Sequence, residues 1–292
     1  AAASTSAQVA IEQAIDKELH NFAAAPDAAA QAKALAGLVV LLGSLDPETP
    51  TPGALRGLVC APDFLALLAS PTADPHCRRN GLALLNGLLS TDEPTWNALV
   101  LESTALVPLL VDLASNCQDD EGLEVNLIAA LTAVAQGGEA GAQFLVNAQG
   151  LAAILASAAP GKPAQLQEAA ADALCQVATY ASCRAPMADQ GCVSALASLV
   201  GSDSKETRVR ALLGLGMLLP SNPANQLAVA GNSEAVLSIM ANMQQDEDTD
   251  ARVIARDVFA LLAANPDAKA AIAAAMRSAA AAAAAAPPAG SA

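Results

Sequence analysis

The chain has 292 residues, a formal net charge of −15 and an isoelectric point near 4.3, and so acidic a surface excludes a nucleic-acid backbone as its main partner, because that binding needs Lys and Arg to release counterions. Apolar residues make up 54% of the chain but aromatic ones only 2%, so the core has to be built from Leu, Ala, Val and Ile. Ala and Leu lead the helix scale, and the aromatic residues that favour strands are scarce, which points to an all-α protein.

The mean hydropathy is +0.39, yet no run of about 18 uncharged apolar residues occurs, so no integral membrane segment is expected. The reading is of an intracellular, soluble protein. The opening Ala1-Ala2-Ala3-Ser4-Thr5-Ser6 lacks Met. That fits a chloroplast or mitochondrial protein freed of its targeting peptide, and equally a boundary within a longer chain. Six cysteines without C-x-x-C spacing read as buried free thiols.

In chain order, Val9, Ile11, Ile15, Leu19 and Phe22 predict an amphipathic helix over 7–22 that caps whatever follows. A second helix over 28–42 stops at the prolines Pro47, Pro50 and Pro52. Then a pattern repeats. Short apolar helices start near Asp63, Thr104, Gly150, Gly191 and Asn232, and a longer amphipathic helix centres on Leu38, Leu85, Leu131, Leu174, Leu215 and Phe259. The two markers agree on a period of 41 to 47 residues. Four residues before each centre stand Ala34, Gly81, Leu127, Ala170, Ala211 and Ala255, mostly small, where a helix one turn away on the same face would admit a close neighbour. A third, shorter helix is predicted in each unit, over 53–60, 95–101, 139–147, 185–189 and 224–230, with Gly150, Gly191 or Asn232 available for positive φ at the corner that follows. After Arg277, the polyalanine of 279–286 presents no packing stripe and predicts a fraying tail. The expected domains are cap helices over 1–45, a repeat array over 46–278 and an Ala/Pro-rich tail over 279–292.

Chemistry is sparse. The two histidines, His20 and His76, lie far apart, no G-x-S-x-G or P-loop occurs, and the Gly137-Gly138 and Gly214-Leu215-Gly216 segments lack a strand-to-helix setting. No enzymatic activity, metal or cofactor is expected. The acidic clusters Asp119-Asp120-Glu121 and Asp246-Glu247-Asp248-Asp250 fall just before long helices, where carboxylates cap free N–H groups. Seven residues before each centre the chain is polar in every copy, with Gln31, Arg78, Glu124, Gln167, Arg208 and Arg252, and Arg79, Arg210 and Arg256 stand nearby. Equivalent positions of a solenoid align, so Arg78, Arg79, Arg208, Arg210, Arg252 and Arg256 are candidates for a ladder that meets an acidic partner, with pairing to the chain's own carboxylates as the other reading. Trp96, the sole tryptophan, reads as core.

A three-helix unit of about 42 residues with a corner glycine resembles the armadillo repeat, with the HEAT repeat as nearest relative. Gln190-Gly191-Cys192-Val193-Ser194-Ala195-Leu196 and Val209-Arg210-Ala211-Leu212-Leu213-Gly214-Leu215 look like the family's second- and third-helix signatures. The resemblance spans roughly 28–278. It implies an all-α, right-handed α-solenoid of about five repeats with an N-terminal helical cap, acting as a non-catalytic scaffold, subunit or assembly factor that holds a protein partner in the groove lined by third helices. The Trp and Asn ladder of the nuclear-import receptors would fall on Ala36, Ala83, Ala129, Asp172, Leu213 and Asp257, and on Val40, Gly87, Ala133, Gln176, Met217 and Leu261, and it is absent. A shorter array with a helical cap is also similar to the armadillo-type nucleotide-exchange factors of heat-shock chaperone ATPases, in size and architecture.

Overall fold

A computed structural model describes residues 2–46, 49–103, 105–117, 120–244 and 249–285, and side chains within 8–281 of these. The chain divides into two compact units, Ala1–Ala153 and Ile154–Ala292. Every regular element among the described residues is helical.

The first unit holds α1 (Ala2–Ala23), α2 (Ala28–Leu42), α3 (Gly53–Val59), α4 (Pro62–Ala69), α5 (Pro75–Thr91), α6 (Glu93–Trp96), a π-helical turn (Asn97–Glu102), α7 (Leu106–Asn116), α8 (Glu121–Gln136) and α9 (Glu139–Asn147). The division falls within α10 (Gly150–Ser157). The second unit continues with α11 (Ala164–Ala178), α12 (Ala181–Asp189), α13 (Cys192–Leu199), α14 (Lys205–Leu218), α15 (Pro223–Ala230), α16 (Ser233–Gln244), α17 (Thr249–Ala263) and α18 (Pro266–Ala285).

The long helices are the spine of each unit. In the first, α1 packs along α2, α2 along α5 and α5 along α8; in the second, α11 packs along α14 and α14 along α17. Each short second helix lies on its own long helix: α4 on α5, α7 on α8, α13 on α14 and α16 on α17. The register markers sit at the centre of this packing. Leu38, Leu85, Leu131, Leu174 and Leu215 are fully buried, as are Leu127, Ala170, Ala211 and Ala255 four residues before their centres. The small residue matters most in α5, where a Cβ on Gly81 would lie 2.8 Å from Leu68 Cδ2. Phe259, the marker of α17, is only half-buried. At the other end, α1 presents the fully buried Ile15 and packs along α2 as each long helix packs along the next.

Helix starts follow from capping. Asp27, Asp74, Asp120 and Ser204 are N-caps of α2, α5, α8 and α14, and each accepts a first-turn backbone N–H. Asp250 stands in the first turn of α17, whereas Asp119 and Asp246-Glu247-Asp248 lie outside the described residues. Of the three predicted corners, Gly191 adopts φ +87°. At the preceding corner the positive φ, 63°, falls on Gln149, and Gly150 answers to space, since a Cβ there would come within 2.8 Å of Leu145. The described part of the polyalanine continues α18 to Ala285, and that helix packs through the buried Ala268, Ile272 and Ala275.

Candidate functional site

The long helix, last of the three in each unit, carries one stripe that is mostly open to solvent. In the first unit the stripe positions two residues before and after the centre are Ala36 and Val40 on α2, Ala83 and Gly87 on α5, and Ala129 and Ala133 on α8. Val40 is exposed, Ala133 is buried and the others are half-buried, so this floor is smooth and apolar. In the second unit the same positions hold Asp172 and Gln176 on α11, Leu213 and Met217 on α14, and Asp257 and Leu261 on α17. That floor mixes carboxylate, amide and larger apolar groups, half-buried except for the exposed Asp257.

In three of the six copies the polar position seven residues before the centre has a shared job. Arg78 Nε donates to the Leu68 carbonyl at 3.1 Å, Gln167 Nε2 to the Ala159 carbonyl at 3.1 Å, and an Arg208 terminal nitrogen to the Ser202 and Asp203 carbonyls at 3.0 Å each. In all three copies the acceptor belongs to the end of the preceding short helix or the turn after it, where carbonyls have lost their helical partners. Arg208 Nε also reaches Asn242 Oδ1 at 3.1 Å. Arg208→Ala is therefore expected to lower stability by about 2 kcal/mol, while Arg256→Ala, at an exposed position, should stay within about 0.5 kcal/mol. Urea denaturation followed by circular dichroism measures both.

The neighbouring positions tie one third helix to the next. Arg79 on α5 pairs with Asp120, the N-cap of α8, at 2.9 Å. Glu168 on α11, at the equivalent position, accepts 3.0 Å from the hydroxyl of Ser204, the N-cap of α14. Burial works to raise the Asp120 carboxyl, but the Arg79 guanidinium and the Leu123 N–H outweigh it and hold it below the usual carboxylate range. One residue on, Asn80 donates to the Ala32 carbonyl at 2.8 Å and Asn126 to the Arg79 carbonyl at 3.2 Å, each across to the preceding third helix. In the second unit that position is Arg210, which reaches back to Asp172 at 3.0 Å and remains 50% exposed. The sequence reading did not single out these asparagines, although their equal distance from Leu85 and Leu131 was a usable signal.

The six candidate arginines differ in their local surroundings. Arg78, Arg79 and Arg208 hold helix ends, Arg210 pairs on the stripe, and Arg252 is half-buried on α17. Arg256 is exposed at a position where Leu35, Leu82, Ile128, Ala171 and Leu212 are fully buried in the other copies. Trp96 is core: it is 5% exposed and its indole N–H donates to the Val134 carbonyl at 3.1 Å.

Five of the six cysteine thiols are buried. Burial pushes Cys117 and Cys175 up to about 11 and Cys192 to about 12, so these stay protonated at neutral pH and are poor nucleophiles. Among the described residues no group of three His, Cys, Asp or Glu side chains converges as a metal site, and no single helix is long and apolar enough to cross a membrane.

These three-helix units have an armadillo-type helical repeat fold. Solved structures carry the same fold at low identity. An engineered protein matches at 18% identity with a TM-score of 0.69, covering 86% of this chain and 97% of its own. A computationally designed armadillo repeat protein for modular peptide recognition matches at 16% and 0.67, covering 84% and 98%. A designed armadillo repeat protein in complex with the peptide (KR)4 matches at 15% and 0.64, covering 84% and 98%. No family model and no curated protein matches the chain.

Proposed function

We propose that the protein is a non-catalytic interaction scaffold, a subunit or assembly factor of a larger complex, that holds a protein partner along the solvent-facing stripe of its third helices. The observation that carries this reading is the recurrence of that stripe at one register in every repeat. No other helix of its unit closes over it completely, and it bears apolar side chains, of which Val40 in the first unit is exposed and Leu213, Met217 and Leu261 in the second are half-buried. The designed armadillo protein in complex with the peptide (KR)4 supports the use of such a fold to hold a peptide. Of the six arginines, Arg210 and Arg256 have the solvent access to meet a partner's carboxylates; Arg78, Arg79 and Arg208 serve chiefly to fix the helices that form the stripe.

Affinity capture from the source organism, followed by hydrogen exchange on the reconstituted complex, tests the proposal. Protection is expected on α2, α5 and α8, or on α11, α14 and α17, with weaker binding for the Arg210→Ala and Arg256→Ala double variant. Protection confined to α18 or to the first helices of the repeats would overturn it.

A further inference from the structure

A second surface lies off the stripe, within the first unit. The π-helical turn, α7 and α9 enclose an open pocket of about 250 Å³ lined by Val100, Leu101, Ser103, Val107, Phe144 and Asn147, among others. Leu101 is 47% and Phe144 42% exposed, so two large apolar side chains flank the opening while Val100 and Val107 form a buried floor. The volume falls below the roughly 300–1,000 Å³ of small-molecule sites and suits a single anchoring side chain. A π-helical turn is rare in itself and is frequent at functional sites.

Charge points to the occupant. From Asn80 to Gly161 the chain contains nine Asp and Glu residues and no Lys, Arg or His. Within it, Asp92 pairs with Arg56 and Asp120 with Arg79. Exposed Glu102 adjoins the lining residues Leu101 and Ser103, and exposed Asp112 stands one helical turn beyond Pro108, which also lines the pocket. A dry apolar anchor site set in a field of one sign selects a partner with the opposite sign around its anchor. We infer that this pocket docks a basic protein segment that inserts one aliphatic or aromatic side chain between Leu101 and Phe144.

The test uses fluorescein-labelled, end-blocked peptides with a central Leu, Phe or Ala flanked on each side by three lysines, and a central Leu flanked by glutamates. Fluorescence anisotropy on the full chain should show the lysine-flanked Leu or Phe peptide binding about 10-fold or more tighter than the Ala peptide. The glutamate-flanked peptide should not bind. Leu101→Ser and Phe144→Ser, both at half-exposed positions, should each erase the preference for Leu over Ala. On the unaltered protein, methyl resonances of Val100, Leu101 and Val107 should shift with the Leu peptide and not with the Ala peptide. Equal binding of Leu and Ala peptides, or methyl shifts elsewhere, would overturn the proposal. Concentration-dependent dimerisation that Phe144→Ser abolishes, without peptide discrimination, would assign the pocket to a second copy and also overturn it.

Discussion

Trp96→Ala is expected to lower the stability of the first unit by about 3–5 kcal/mol, the range for emptying a large aromatic site in a close-packed core. The indole fills a slot that the backbone has been cleared to receive. A Cβ on Gly137 would lie 2.1 Å from indole Cε2, and one on Gly141 would lie 2.7 Å from Cζ2 and 2.1 Å from the Val134 carbonyl oxygen. The same carbonyl accepts the indole N–H, which caps one of the last C=O groups of α8. Trp96→Phe keeps a ring but orphans that carbonyl, so an intermediate loss of about 1–2 kcal/mol is expected. Gly141→Ala attacks from the opposite wall, where the nearest atoms are backbone and cannot yield. Because Trp96 is the sole tryptophan, far-UV circular dichroism with urea is the readout for the variants, and tryptophan fluorescence reports this slot alone in the unaltered protein. A loss below about 1 kcal/mol for Trp96→Ala would show that the slot is not packed as described.

The slot illustrates what was legible in the sequence. Trp96 reads as core, and that holds, but nothing in the linear pattern joins it to Gly137 and Gly141, about forty positions away. Periodicity fared better, because burial of an apolar stripe repeats with the helical turn: Leu38 through Leu215 are the centres the spacing predicts. It does not set apart Phe259, which is alike in spacing yet half-buried. The arginines show the same limit for polar groups. Recurrence at seven residues before the centre was visible, whereas the acceptors of Arg78 and Arg208 are backbone carbonyls, which carry no sequence signature. The pocket was hidden for a further reason: Leu99, Val100 and Leu101 are one apolar run, and the π-helical turn decides which of them is left at the surface.

Arg56→Met is expected to cost about 2–3 kcal/mol near neutral pH, with a loss that shrinks as the pH falls. Asp92 is 6% exposed and holds three groups at once. Arg56 donates to both carboxylate oxygens at 2.9 and 3.0 Å, the Thr95 N–H donates at 3.0 Å as Asp92 caps α6, and the Thr95 hydroxyl donates at 2.5 Å. Burial drives the carboxyl up, but the guanidinium and the Thr95 donors prevail and hold it below the usual carboxylate range. A carboxyl depressed in the folded state contributes stability that is present above its unfolded value of about 3.9 and is lost as the pH falls through the folded value. Removing Arg56 leaves a buried charge without its counter-ion, which is why breaking such a pair costs more than the pair itself is worth. The cost applies only while Asp92 is ionised, so the unaltered and Arg56→Met proteins should converge in stability as acid protonates the carboxyl in both. Asp92→Asn retains an N-cap acceptor without the charge. In that background Arg56→Met should cost less than about 1 kcal/mol, giving a coupling of about 1–2 kcal/mol in the double-mutant cycle. A pH-independent loss, or no coupling, would make Arg56 a packing residue whose charge is incidental to this corner of the fold.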